Sequence, residues 1–162
     1  MPHIPSLRAR SRLHPLAVAL VTATLGLVGA SQALAGGHGR VATQSGMAMQ
    51  GFDPVAFVHE GTAREGDPDI VLRWRGAYWH FASVAYRAAF EANPKAYAPA
   101  FGGHCPVSVA DGTPRPGDPR HWAIVEQRLV LASSAEALRI LLADPQAILG
   151  RAVTRWRAAR AN

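Results

Sequence analysis

Between Ala98 and His121 the chain carries five prolines and four glycines. Proline fixes φ and removes an N–H, and glycine loosens the backbone, so neither a long helix nor a continuous strand can run through this stretch. Regular elements must be short and lie on either side of it. Before it, Asp69–Trp74 and Ala77–Phe81 read as two strands, and Arg75-Gly76 between them predicts a hairpin. Ser83 is a natural N-cap for a helix over 84–92, in which Tyr86 and Phe90 share a face. Asn93-Pro94 ends that helix, and Pro94 opens a short turn through Tyr97. After the run, Trp122–Val125 and Leu129–Ala132 predict a second hairpin around Gln127-Arg128. Ser133 or Ser134 caps a helix from Ala135 to Leu142, and Asp144 caps a last helix that starts at Pro145. In that helix Ile148, Leu149, Ala152, Val153 and Trp156 form one apolar stripe, expected to lie on the sheet. A further strand is expected at Val55–Val58 and a Gly-Asp-Pro loop at 66–68. Hairpins with helices between and after them predict an α+β fold with a small antiparallel sheet. No internal repeat stands out.

The N-terminus reads as an export signal. Arg8, Arg10, Arg12 and His14 precede an apolar stretch from Leu16 to Ala30, and Ala33-Leu34-Ala35 offers a small-x-small site for cleavage after Ala35. The stretch is shorter than the ~20 apolar residues that span a bilayer, and no second such run follows. The expected organisation is a signal peptide at 1–35, a Gly-rich flexible linker or loosely held arm at 36–50, and one domain at 51–160, in a periplasmic or secreted protein. Loss of the signal lowers the formal charge from +6 to about +3. The remaining arginines look scattered, apart from Arg151, Arg155, Arg157 and Arg160 near the C-terminus. Mild charge, export and the lack of a nucleic-acid motif argue against DNA or RNA as partners. A periplasmic protein partner is compatible with this reading.

Several separated motifs carry a family resemblance. They are Gly51-Phe52-Asp53-Pro54-Val55-Ala56-Phe57, Tyr78-Trp79-His80-Phe81-Ala82-Ser83, and the run from Phe90 through Asn93-Pro94 to Pro99. Gly102-Gly103-His104-Cys105 and Pro116-Gly117-Asp118-Pro119, followed by Trp122, Leu129 and Leu131, extend the match. Together they resemble the YHS-domain family, in particular its exported single-domain members. The resemblance implies a small α+β fold related to treble-clef-like metal-binding modules, and an association with heavy-metal handling, copper especially. The cysteines that serve as metal ligands in better-known members fall at positions that look like Ala56, Ala82 and Tyr86 here. The resemblance therefore implies the fold more than metal binding at the usual place.

Cys105 is the single cysteine. An exported thiol without an intramolecular partner is buried, metal-bound, reactive, or joined to another molecule. As a soft ligand it suits copper or zinc, and His104, His80 and His121 are the histidines that could complete a site with it. Neighbours on a strand point to opposite faces, so His104 and Cys105 can share a metal only if Gly102-Gly103 bends the chain. The competing reading makes Cys105 a small buried hydrophobe beside Pro106 and Val107. A third reading is a thiol redox protein or a Cys-His nucleophile with His80 or His121 as base. No Gly-x-Ser-x-Gly, phosphate-cradling loop or second cysteine supports an enzyme. Alternation places Trp79 and Phe81 on one face of their strand and Tyr78 and His80 on the other. Asp53 and Asp118, each before a proline, read as carboxylates that cap backbone turns, while Trp74, Trp79, Tyr97, Phe101 and Trp122 read as core. The function expected from all this is an exported YHS-like binding module for a soft metal such as copper, or a metal-free module that binds a protein or small ligand.

Overall fold

The computed structural model describes residues 41–161, which belong to one unit. The expected signal at 1–35 and the first part of the expected linker lie outside the described residues. In chain order the elements are β1 (Thr43–Gln44), β2 (Met47–Ala48), a 3-10 turn (Met49–Gly51), α1 (Pro54–His59), β3 (Asp67–Trp74), β4 (Ala77–Phe81), α2 (Val84–Ala92) and α3 (Pro94–Tyr97). A second 3-10 turn (Ala100–Gly103), α4 (Pro106–Ala110), β5 (Trp122–Val125), β6 (Arg128–Leu131), α5 (Ala135–Ala143) and α6 (Pro145–Ala161) complete them. One sheet has the order β1-β2-β4-β3, antiparallel except where Met47 of β2 runs parallel beside Tyr78 of β4. The other is the β5-β6 hairpin. The fold is α+β, as the element pattern predicts. No helix among the described residues is long and apolar enough to cross a membrane.

Several expectations change. Val55–Val58 lies within helix α1, because the Asp53 carboxylate caps the N–H of Val55 at 2.7 Å and Pro54 occupies the first turn. The helix buries Pro54 to Phe57 on every side, so its sequence shows the unbroken apolar run of a buried strand. Residues 41–50 are not a loose arm. They form the β1-β2 hairpin and enter a 3-10 turn, with Ala48 and Met49 buried. Asp67 and Pro68 belong to β3 rather than to a loop. The Pro/Gly-rich run holds a 3-10 turn and helix α4. The apolar stripe of α6 packs against Val109 and Ala110 of α4, Leu141 of α5 and Val130 of β6, not on the four-stranded sheet. The second hairpin turns at Glu126-Gln127, one residue earlier than expected, with both residues at positive φ.

The structure also contains a repeat that the sequence hides. Gly51-Phe52-Asp53-Pro54 and Gly103-His104-Cys105-Pro106 each leave a 3-10 turn and start a short helix. Gly66-Asp67-Pro68 opens the first strand of one hairpin, and Gly117-Asp118-Pro119 precedes the other. The N–H of Gly66 donates to the carbonyl of Gly51 at 2.8 Å, and that of Gly117 to Gly103 at 2.8 Å. The N–H of Asp53 donates to the carbonyl of Arg64 at 2.8 Å, and that of Cys105 to Arg115 at 2.9 Å. After each hairpin a serine caps a helix. Ser83 Oγ accepts from the N–H of Tyr86 at 3.1 Å, and Ser134 Oγ from the N–H of Ala137 at 3.1 Å. Asn93 and Asp144, both at φ −149°, then lead into Pro94 and Pro145, which start the next helices. Each position recurs 51 or 52 residues further on. The shared residues sit at turns and caps, where backbone geometry dictates identity; the helices and strands between them differ.

The two copies are joined by their cores. Leu129 and Leu131 of β6 pack into the cluster that holds Phe57, Trp79, Phe81 and Phe90, and Trp122 meets Phe57 edge-on at 5.0 Å. Close backbone approach explains the paired glycines. A Cβ at Gly66 would stand 2.5 Å from the backbone carbon of His80, and one at Gly117 would stand 2.4 Å from Leu131 Cβ and 2.7 Å from its carbonyl oxygen. We expect Gly117→Ala to destabilise the fold by about 1–3 kcal/mol through overpacking. Gly150→Ala, in helix α6 with no atom near its added Cβ, is expected to stabilise it by about 0.5–1 kcal/mol. Urea denaturation of the two variants checks both signs.

Candidate functional site

At the first copy's helix start, Asp53 is fully buried. Its Oδ1 accepts from the N–H of Val55 at 2.7 Å, and its Oδ2 accepts from the N–H of Ala82 at 2.7 Å, at the step from β4 into α2. Burial raises its carboxyl above the ordinary 3.8, against the amides of Ala82, Val55 and Ala56, which pull it down. The native state therefore holds this proton more tightly than the unfolded chain does. Asp53 contributes most below pH 3.8 and loses that contribution as pH rises through its raised value. The positions where the family resemblance implies ligand cysteines lie around this carboxylate. Ala56 and Ala82 offer it their amides, and Tyr86 turns its hydroxyl to Glu60, donating to Oε1 at 2.7 Å. Asp53 does at this corner what its sequence context predicts, capping backbone N–H groups.

Cys105 holds the equivalent place in the second copy. It is 0% exposed and packs with Ala132 and Ala137, flanked by Val107 and Leu138. Its carbonyl accepts from the N–H of Val109 at 3.0 Å and from Ser108 Oγ at 2.8 Å. His104 turns away toward α6. Its Nδ1 lies 2.9 Å from the carbonyl oxygen of Phe101, so that nitrogen carries the proton and donates, and its ring lies 5.3 Å from that of Trp156. His80 is half-buried on β4, paired in register with Val71, on the face opposite buried Trp79 and Phe81. His121 is half-buried before β5, and its carbonyl accepts from the N–H of Ala132 at 2.6 Å. Among the described residues no three His, Cys, Asp or Glu side chains gather as a metal-holding group. His59 ends α1, with Nε2 3.2 Å from the Tyr97 hydroxyl.

A different feature brings charge together. A groove of about 430 Å³ opens where β3 ends, α3 meets the second 3-10 turn, β6 begins and α6 passes over. Trp74 and Trp156 give it flat apolar walls, with Phe101 and Trp79 behind them. Arg75, Lys95, Arg128, Arg157 and Arg160 reach it from four separate elements or turns, and among the described residues no Asp or Glu lines it. The Arg75 guanidinium lies 4.6 Å over the Trp74 ring, which holds it in place by a cation–π contact. The four ion pairs found among the described residues, Arg64–Glu60, Arg87–Glu91, Arg120–Asp118 and Arg139–Glu136, involve none of these cations. Sequence reading misses this convergence because Arg75, Lys95, Arg128 and the Arg157/Arg160 pair stand far apart in the chain. Its signals are the basic C-terminal helix and the placing of Arg75 and Arg128 in or beside the turns of the two hairpins.

Comparison with protein families finds no match, and no curated protein or solved structure matches the chain.

Two outcomes test the Asp53 corner. Asp53→Ala leaves the amides of Val55 and Ala82 without an acceptor and is expected to cost about 1–3 kcal/mol for each amide, read by urea denaturation. The Tyr86 hydroxyl, with Arg64 beside it, holds Glu60 below its ordinary 4.5. The stability advantage of the native chain over Tyr86→Phe is then full above pH 4.5 and shrinks as pH falls through the lowered value. Unfolding curves at stepped pH measure it.

Proposed function

We propose that the chain is an exported YHS-like binding module, without catalytic activity, that takes a small ligand without a metal and keeps Cys105 as a packing residue. The observation that carries this reading is the setting of Cys105: fully enclosed by Ala132, Ala137, Val107 and Leu138, at the place its first-copy counterpart fills with a helix-capping aspartate. A thiol in such a pocket behaves as a small hydrophobe, whereas reactive cysteines sit in partly exposed, electropositive surroundings. The Gly102-Gly103 bend that a shared His104–Cys105 metal site requires is present, both glycines having positive φ. It sends the His104 ring to Phe101 and Trp156. The separated YHS-like motifs support the family reading, and the apolar stretch before Ala35 supports export.

The rival reading is a copper- or zinc-binding module built on Cys105 with His104, His80 or His121. The purified protein and its Cys105→Ala variant, titrated with copper(I) against a competing chelator, separate the two. No copper uptake by either protein supports the metal-free module; uptake by the native protein overturns it, and its disappearance in the variant assigns the site to Cys105. In the native protein we expect thiol reagents to label Cys105 at least on the order of 100-fold more slowly than in concentrated urea, since labelling then waits for local opening. Fast native labelling would favour a redox role.

A further inference from the structure

We infer that the groove between the β3 end and helix α6 binds a small organic anion with a flat apolar body, such as an aromatic carboxylate, phosphate or sulfonate. This deepens the metal-free reading of the preceding subsection and rests on it.

The charge is concave and converging, which sets it apart from an ordinary solvated helix face. Arg157 and Arg160 come from α6, Arg128 opens β6, Lys95 lies in α3, and Arg75 stands in the β3-β4 turn. Bringing five cations from separate segments to one hollow raises their mutual repulsion, and among the described residues no carboxylate lines the groove to offset it. An anion seated there removes that repulsion. The apolar part of the ligand follows from the walls. Trp74 and Trp156 are half-buried, so each presents indole surface to the hollow, and Arg75 stacked on Trp74 sets a guanidinium beside an aromatic face. Guanidinium groups suit carboxylate, phosphate and sulfonate oxygens through paired N–H donors. The volume, about 430 Å³, lies within the range of roughly 300–1,000 Å³ common for small-molecule sites. An extended acidic polymer or a membrane surface would call for charge spread over a convex face. Here Arg151 and Arg155 of the same helix turn to a separate hollow beside Ala110 and Thr154.

The test is a titration of the purified protein with 2-naphthoate and with its neutral counterpart 2-naphthamide, at low salt, by calorimetry and by tryptophan fluorescence, since two groove walls are tryptophans. Saturable binding of naphthoate with one site is expected, at least tenfold tighter than naphthamide and weakening as salt screens the arginines. The double variant Arg75→Glu/Arg157→Glu changes exposed side chains that have no ion-pair partner among the described residues and is expected to lower naphthoate affinity at least tenfold. The matched control Arg151→Glu/Arg115→Glu makes the same charge change at exposed side chains outside the groove and is expected to leave it within about twofold. Equal losses in both double variants overturn the inference, because net charge would then suffice. So does the absence of saturable naphthoate binding. So does binding to phosphatidylglycerol vesicles, in place of naphthoate, that Arg151→Glu weakens as much as Arg157→Glu. Repeating the titration on Cys105→Ala and with copper(I) present separates the two proposals. Naphthoate binding that needs both copper and Cys105 overturns the metal-free reading, whereas loss of naphthoate binding with no copper uptake overturns only the ligand assignment.

Discussion

The Asp53 carboxylate is the contact on which the first half of the fold depends. One oxygen starts α1 at Val55 and the other holds Ala82, where β4 hands over to α2. Two backbone corners that are 29 residues apart in sequence are thus tied through one side chain. A buried carboxylate is unfavourable alone, but two short amide donors make it the acceptor that neither amide could otherwise find away from water. Around it, Phe57, Trp79, Phe81 and Phe90 close into a single core. In modules where ligand cysteines converge at such a corner, a metal ion can tie helix to strand. Here the tie is a hydrogen-bonded aspartate.

The second half keeps the same backbone plan with a different fastener. Cys105 replaces Asp53, and Ala137 stands where the first copy has Tyr86. Apolar contact among Cys105, Ala132 and Ala137 does there what the carboxylate does in the first copy. The lone cysteine of the chain is thereby accounted for by its position in a repeated motif. Its neighbour His104 takes a place matching Phe52 and, like it, lies against aromatic surface.

Much of this fold is legible in residues with strong local rules. Ser83, Ser134 and Asp144 cap helices as their neighbours predict, because the stabilising bond forms within three residues. Both hairpins follow from turn residues between alternating strands. The α1 segment reads as a strand because burial of four consecutive residues, Pro54 to Phe57, hides the helical period, leaving only the Asp53-Pro54 cap as a clue. The repeat was hidden because it is written in glycines, prolines and caps spaced 51 or 52 residues apart. The groove was hidden for a related reason. Arg75, Lys95, Arg128 and the Arg157/Arg160 pair of α6 share nothing locally, and only the long-range packing of α6 and the two hairpins brings them to one place.

The exchange of side chains between the two copies has a consequence for cooperativity. Each copy holds its own hairpin and capped helix, so each has the local contacts with which folding can begin quickly. Yet the first core is completed by Leu129 and Leu131, which the second hairpin supplies, and Trp122 leans on Phe57. The second core in turn takes in Ala100 and Phe101, which precede the second copy's Gly103, so neither copy seals its apolar interior without the other. A chain that looks modular in its backbone is therefore bound to unfold as a single body, and a nick in the Pro/Gly-rich stretch would leave two fragments that find each other through those three side chains.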